Sequence, residues 1–293
     1  MQAVVEQYLR GEAISVSMFY EVHLLIIHDE FASGAVYIIS GKSQIVVILS
    51  EFIRNSGANG AMHIIGSDYS ATVQDSIFTE NFATVSGGAL VSTSLNVGNF
   101  TIRGSEFYRN SAPQCGAVDL NSDDMNPNFQ TRNGLKVQVL DSSFANNSAS
   151  VGGSGAICAS AISISISGFD SAFRQNSAVT GGGAISTANS ALTIFGASFS
   201  DNTARSGGDT IHACSSEVTV ESSDGLSCGN MAGQCLLLDS FPGASTCGGD
   251  FPGTSTSAGD FPVTNGGVSQ YYYVINLPLI SLNFVMFVTL MMY

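Results

Sequence analysis

The sequence predicts an all-β protein folded as a right-handed parallel β-helix, a solenoid of about 7 rungs followed by a C-terminal linker and a hydrophobic tail. Three observations lead to this prediction: a composition poor in helix formers, a motif that recurs along most of the chain, and short alternating runs between its copies. Only 11% of the 293 residues are charged and 32 are glycine, which disfavours helices. The hydrophobic fraction of 44% is nevertheless high enough to form a buried core.

The charge balance restricts the class of partner. The chain carries 9 basic and 23 acidic residues, which gives a net charge of −14. Proteins that bind nucleic acid need Lys and Arg to neutralise phosphates. We therefore expect no nucleic-acid partner.

The recurring motif is Phe-x-x-Asn, followed in most copies by Ser-Ala or a near match, with 26 to 37 residues between successive Phe residues. A Gly-rich pattern that ends in Ala and an aliphatic residue lies between the copies, as in GGAL at 87–90. A strand-rich unit of this length cannot bury its own apolar face, so we expect the units to stack. The six copies contribute the aromatic residues Phe52, Phe78, Phe107, Phe144, Phe173 and Phe199, and the amides Asn55, Asn81, Asn110, Asn147, Asn176 and Asn202.

Apolar and polar residues alternate between the motifs, for instance as Ile and Ser over 162–167. Such alternation predicts two or three short strands per unit, each with one buried face. Coiling then places equivalent residues of successive rungs above each other, about 4.8 Å apart. We expect the Phe residues to form an internal aromatic stack and the Asn residues to form a hydrogen-bonded ladder at a buried bend. The Gly pairs would supply unusual backbone angles at the opposite corner.

The combination of GGA[ILV] with Phe-x-x-Asn over about residues 32–212 resembles the repeats of chlamydial polymorphic outer membrane proteins. It is also similar to surface proteins of algae and other microbial eukaryotes that carry the same repeat. The resemblance implies a right-handed β-helix and, from the bacterial members, adhesion to host cells.

The chain divides by composition into five segments. We predict irregular or partial first rungs at 1–31, β-helix repeats at 32–225, a Cys-containing cap at 226–239, a Pro/Gly/Ser/Thr decamer-repeat stalk at 240–270, and a hydrophobic tail at 271–293.

The hydrophobic tail predicts attachment to a membrane. Residues 274–293 carry no charge and match the length that spans a bilayer as a helix. The small residues that begin at Asn265, a short spacer and the tail resemble a glycolipid (GPI) attachment signal with Asn265 as the anchor. The alternatives are a transmembrane helix and a mispredicted or truncated end. Residues 1–31 lack the apolar core of a signal peptide, so we expect the natural N-terminus to lie upstream; an intracellular protein is the alternative.

Six cysteines, an even number in a chain expected outside the cell, predict disulfides. Cys214, Cys228 and Cys235 cluster beyond the last repeat and are the candidates for a disulfide that staples a cap. Cys158 aligns with Ser186 of the next repeat, which favours an ordinary small residue.

An insertion at 119–133 lengthens one rung and is rich in Asp and Asn. Asp119, Asp123 and Asp124 are candidate calcium ligands, because carboxylate oxygens suit Ca²⁺. A plain solvated loop and a binding loop for a glycan or protein partner are the alternatives. Asn99 and Asn146 begin N-glycosylation sequons.

These features predict a protein of the cell surface, extracellular or membrane-anchored, with an adhesin-like or structural role, which binds extracellular glycans or surface proteins. We assign no catalytic residue and no cofactor other than the candidate calcium. Polysaccharide hydrolysis or elimination needs carboxylates or a base that converge on one strand face, and no such motif occurs. A polysaccharide-active lyase or epimerase remains the first alternative, and a partial gene product without activity the second.

Overall fold

The computed structural model describes residues 15–20, 23–25, 34–40, 43–95, 97–122, 134–225 and 229–238. These residues contain 28 β-strands and no helix. All of them belong to a unit that spans Met1–Gly249, and a second unit comprises Asp250–Tyr293. The prediction of an all-β parallel solenoid is confirmed.

The strands are arranged in rungs, where one rung is a full circuit of the solenoid. A partial rung comes first, with β1 Ser15–Tyr20 and β2 His23–Leu25. Six complete rungs of four strands follow: β3 Val36–Ser40, β4 Ser43–Ile48, β5 Glu51–Ile53, β6 Ser56–Gly57; β7 Met62–Gly66, β8 Tyr69–Gln74, β9 Ile77–Thr79, β10 Phe82–Ala83; β11 Leu90–Ser94, β12 Gly98–Arg103, β13 Glu106–Tyr108, β14 Ser111–Ala112; β15 Val118–Ser122, β16 Leu135–Leu140, β17 Ser143–Ala145, β18 Ser148–Ala149; β19 Ile157–Ser160, β20 Ser163–Ser167, β21 Ala172–Arg174, β22 Ser177–Thr180; and β23 Ile185–Ala188, β24 Ala191–Phe195, β25 Ser198–Ser200, β26 Thr203–Ser206. The last strands are β27 Ile211–Glu221 and β28 Gly229–Leu238.

The four strands of each rung define four columns, named a, b, c and d in chain order, and every strand pairs in parallel with its equivalents in neighbouring rungs. The long strand β27 pairs with both β23 and β24, so it joins columns a and b in one sheet. β28 then pairs antiparallel with β27. The prediction of two or three strands per rung was too low. Columns c and d consist of strands of only two to four residues, too short to show alternation in the sequence.

The core lies inside the columns, where the Phe residues of the motif form a continuous phenylalanine stack. Neighbouring rings have centroids 4.6 to 4.9 Å apart and planes within 7° of parallel. The parallel register of column c places each Phe directly over the next, as in the pairs Phe107–Phe144 and Phe144–Phe173. All six rings are buried, so each ring excludes water from the faces of its neighbours in the stack.

The Asn residues of the motif form an asparagine ladder between columns c and d. Asn110 donates its backbone N–H and its side-chain Nδ2 to Oδ1 of Asn147, at 2.9 and 3.1 Å. Nδ2 of Asn147 also donates to the carbonyl of Phe107 at 3.0 Å. The residue before each ladder Asn has a positive φ, for example Asn146 at 57°. The same pattern links all six amides, so a corner without water keeps its polar groups paired.

A serine ladder at the corner between columns b and c accompanies the asparagine ladder and was not predicted. Ser76 donates its backbone N–H to Oγ of Ser105 at 3.2 Å, and Ser105 donates in the same way to Ser142. Each hydroxyl then donates to the carbonyl two residues earlier, as Ser142 does to Leu140 at 2.8 Å. The repeat is therefore Ser-x-Phe-x-x-Asn in five of its six copies.

Glycine is required at the corner between columns d and a mainly because the backbones of neighbouring rungs pack closely there. A Cβ on Gly116 would lie 2.1 Å from the carbonyl oxygen of Gly155 in the next rung. A Cβ on Gly155 would lie 2.2 Å from the carbonyl oxygen of Gly183. Neither Gly116 nor Gly155 has a positive φ, so at these positions space requires glycine, and the expected backbone angles belong to preceding residues such as Gly87, with φ 59°.

We predict that Asn147→Ala lowers the free energy of unfolding by about 1–3 kcal/mol, because it leaves the N–H and amide of Asn110 and the carbonyl of Phe107 without buried partners. Urea denaturation measures the change. Asn99→Ala, at an exposed position on β12, is the control and should stay within about 0.5 kcal/mol of the wild type. An equally small effect of Asn147→Ala would contradict the structural role of the ladder.

We predict that Phe173→Ala lowers the free energy of unfolding by about 3–5 kcal/mol, because it opens a cavity inside the phenylalanine stack. Thermal unfolding followed by circular dichroism measures the loss. Phe169→Ala, at a side chain that is 79% exposed, removes the same atoms without a cavity and should cost less than about 1 kcal/mol. If the two variants lost the same free energy of unfolding, burial of Phe173 in the stack would not stabilise the fold more than an exposed Phe does.

Candidate binding surface

The outward side of column b forms a continuous surface that we name the b face, made of the outward residues of β4, β8, β12, β16, β20, β24 and β27. With neighbouring strands about 4.8 Å apart, it extends over roughly 30 Å. Most of its side chains are small or uncharged hydrogen-bonding groups: Gln44, Ser70, Thr72, Gln74, Asn99, Thr101, Gln138, Ser163, Ser165, Ser167, Thr193 and Thr219. The charged side chains on this face are Arg103, Lys136, Glu217 and Glu221.

Strand register places these side chains in straight rows. Thr101 lies beside Gln138, Gln138 beside Ser165, and Ser165 beside Thr193. The alternating partners point inward, since Ile164 and Ile166 of β20 are buried while its serines are partly exposed. The b face thus presents donors and acceptors at a regular spacing, which suits a ligand that is itself repetitive.

The outward side of column a is different, because the connections between columns d and a cover part of it. His63, Val91 and Asp119 occupy equivalent outward positions there, and all three are buried. Oγ of Ser86, in one such connection, donates to Oδ2 of Asp119, and Nδ2 of Asn121 donates to Oδ1 at 2.7 Å. Burial raises the pKa of the Asp119 carboxyl, and these two hydrogen bonds oppose the rise.

The position of Asp119 corrects the predicted insertion. We expected a loop over 119–133, but β15 continues to Ser122, so the first four of those residues are strand. Asp119 is in contact with Ser86 and Asn121 inside that region, whereas Asp123 and Asp124 lie outside the described residues. Among the described residues, no group of three or more His, Cys, Asp or Glu side chains is arranged to hold a metal ion.

A disulfide joins Cys115 to Cys158 across neighbouring rungs, with 5.7 Å between the Cα atoms. The interpretation of Cys158 as an ordinary small residue was therefore wrong. Cys115 lies in the connection before β15, and Cys158 lies on β19 beside Asp119. This bond holds the connection that contains Cys115 against the outward side of column a.

The predicted cap cysteines are only partly described. Cys214 is disulfide-bonded, and the residue opposite it on the antiparallel strand β28 is Cys235. Cys228 lies outside the described residues.

The histidines of the described region are shielded from solvent to different degrees. Burial lowers the pKa of His63 to about 4, so this ring is neutral at physiological pH. It packs against Tyr37, with ring centroids 5.3 Å apart. Burial also lowers the pKa of His212, whose Nε2 lies 3.2 Å from Sγ of Cys214.

The two sequon asparagines differ in exposure. Asn99 is exposed on the b face, and Asn146 is partly buried at the corner that precedes the ladder residue Asn147. The anchor candidate Asn265 and the hydrophobic tail lie outside the described residues. Within the part of the chain that the structure describes, no helix has the length and apolar character needed to cross a membrane.

Comparison with known proteins gives one family match. Residues 75–93 match the family model described as the Chlamydia polymorphic membrane protein (Chlamydia_PMP) repeat. In the structure this segment runs from the corner before β9 into β11, and it includes Phe78, Asn81 and the Gly87–Gly88 pair. Neither the search of curated proteins nor the search of solved structures returned a significant match. The chain is therefore a parallel β-solenoid protein that carries the polymorphic membrane protein repeat.

Proposed function

We propose that this protein is displayed at the cell surface and uses its b face to bind extracellular glycans or surface proteins, in an adhesin-like or structural role. The observation that carries the proposal is the b face itself, an array of hydroxyl and amide side chains that are exposed or partly exposed and lie in strand register. A binding surface that recognises a repetitive partner needs many equivalent groups at a fixed spacing, and parallel stacking supplies them without further constraint on the core.

Three further observations support display outside the cell. The family that matches residues 75–93 is described as a membrane protein repeat. The Cys115–Cys158 disulfide is typical of an oxidising compartment. The uncharged C-terminal segment follows small residues in the order of a glycolipid attachment signal.

The b face also differs from an enzyme groove in its chemistry. The strands β20 and β24 present Ser163, Ser165 and Thr193 where a polysaccharide-active solenoid would need converging carboxylates or a base. Binding by many weak hydrogen bonds fits these side chains better than bond cleavage.

We predict that, in cells that express the full chain, a phospholipase specific for glycolipid anchors releases the mature protein, which then ends at the anchor residue Asn265, from the surface of intact cells. Release is measured by immunoblotting of the medium, with a variant that replaces Asn265 and the two glycines after it by bulky residues as the control that should not be released. Retention of the wild-type protein on the treated cells would contradict the lipid anchor and favour a transmembrane helix.

We predict that the purified full chain binds members of a panel of extracellular glycans and surface proteins, and that Ser165→Lys with Thr193→Lys weakens this binding at least about tenfold by placing two long charged side chains on the b face. Biolayer interferometry measures the affinities. The matched control is Ser177→Lys with Thr203→Lys, which alters a Ser–Thr pair of the same two rungs on the outer side of column d and should bind like the wild type. Equal binding by both variants would exclude the b face, and glycan cleavage by the wild type would favour the enzyme alternative.

A further inference from the structure

One corner of the solenoid carries a two-residue extension that includes an exposed aromatic side chain. In most rungs a single residue separates the end of column b from the residue at the serine-ladder position, as Asp141 does between Leu140 and Ser142. In the fifth complete rung three residues, 168–170, take that place. The loop is closed by a hydrogen bond from the backbone N–H of Ser171 to the carbonyl of Gly168 at 3.0 Å. Oγ of Ser171 donates to the carbonyl of Ser167 at 2.6 Å, so the extension is held in one shape.

The extension places Phe169 beside Phe195 of the next rung. The two ring centroids are 6.3 Å apart and the planes are tilted by 58°. The ring of Phe169 also lies over Gly196, since a Cβ at that glycine would be 3.4 Å from Cδ1 of the ring. Even so, the side chains of Phe169 and Phe195 remain 79% and 44% exposed. The two rings thus contact each other and the backbone at Gly196, while the pair keeps a wide apolar surface in solvent.

Polar and acidic groups lie next to this aromatic pair. Phe195 lies in register between Ser167 and Glu221 on the b face. Asp170 follows Phe169 directly and is exposed. A carboxylate oxygen of Asp141 stands over Gly168, at 2.0 Å from the place that a Cβ would occupy. Within the b-face positions of β20, β24 and β27 there is no Lys or Arg.

This combination has the chemistry that binds a sugar ring. The C–H face of a pyranose packs on an aromatic ring, and its hydroxyl groups pair with the oxygens of Ser and of carboxylates. The carboxylates Asp141, Asp170 and Glu221 also repel uronate and sulfate groups. We propose that Phe169 and Phe195 form a stacking subsite for an uncharged sugar ring of a polysaccharide that lies along the b face. This inference rests on the proposed binding function and assigns to it a ligand class and an anchoring point.

The chain contains no tryptophan, which provides a direct test, because Phe169→Trp places a single tryptophan at the subsite, and this residue can be excited separately from the tyrosines. The full chain that carries this substitution is titrated with a neutral soluble β-glucan, with a neutral mannan and with polygalacturonate as the anionic probe. We expect the neutral polysaccharides to change the tryptophan emission with saturation, and polygalacturonate to leave it unchanged.

Affinity measurements on matched variants complete the test. We expect Phe169→Ala to weaken binding of the neutral polysaccharide about tenfold relative to the wild type, and Phe169→Trp to preserve it. Phe82→Ala, which removes a half-exposed Phe from column d, should bind like the wild type.

The outcomes separate this inference from the proposed function. If the wild type binds neutral polysaccharide and Phe169→Ala binds equally well, the subsite is wrong and the b-face function stands. If only polygalacturonate binds, the charge argument and the assigned ligand class are wrong. If the wild type binds no glycan and Phe169→Ala abolishes a self-association seen by sedimentation, the pair is a contact between copies of this chain and the inference is overturned. If no glycan is bound and no self-association occurs, both this inference and the glycan-binding form of the proposed function fail.

Discussion

Parallel stacking in register is the constraint on which the rest of this structure depends. It places every residue above the equivalent residue of the next rung, about 4.8 Å away. A residue type that repeats at a buried position must therefore be able to pack against, or hydrogen-bond to, another residue of the same type. Phe satisfies this requirement by parallel stacking at 4.6 to 4.9 Å between ring centroids. Asn satisfies it because one amide carries both donors and an acceptor, so Asn110 can donate to Asn147 while Asn147 donates onward to Asn176. Ser does the same where its backbone N–H reaches the hydroxyl of the next rung.

The end of the solenoid shows how strict this constraint is. Gly155 and Gly183 have no room for a side chain, because the carbonyl oxygen of the next rung lies where a Cβ would be. Asp209 occupies the equivalent position after the last complete rung, where no further rung of this column follows among the described residues. Its Oδ1 accepts a hydrogen bond from the N–H of Ala204 at 3.0 Å. A side chain appears at this corner at the point where stacking no longer forbids it.

The sequence was sufficient to predict the fold because the buried motif repeats with few exceptions. It was insufficient where a feature depends on contacts outside the repeat. It was also insufficient for columns c and d, whose strands of two to four residues are too short for alternation to be recognised. The partner of Cys158 lies in a connection, 43 residues away in the chain, and only the path of that connection brings Cys115 near. The serine ladder, by contrast, was accessible, since Ser stands two residues before Phe in five of the six copies.

The outward residues of the b face are less constrained than the residues of the core. An outward side chain does not have to pack against the equivalent side chain of the next rung. The residues of the b face therefore change from Arg103 and Lys136 to the serines of β20 and the glutamates of β27, while the strand pairing stays the same. Alternation alone predicts which residues of a strand point outward, but it does not predict which outward face stays open. Column a shows the difference, because the same alternation places His63 and Asp119 outward and the connections then bury them. Column b is followed in most rungs by a corner of one residue, too short to fold back over its side chains. The short corner leaves the b face exposed to solvent, and the lengthened corner places Phe169 beside Phe195 at its edge.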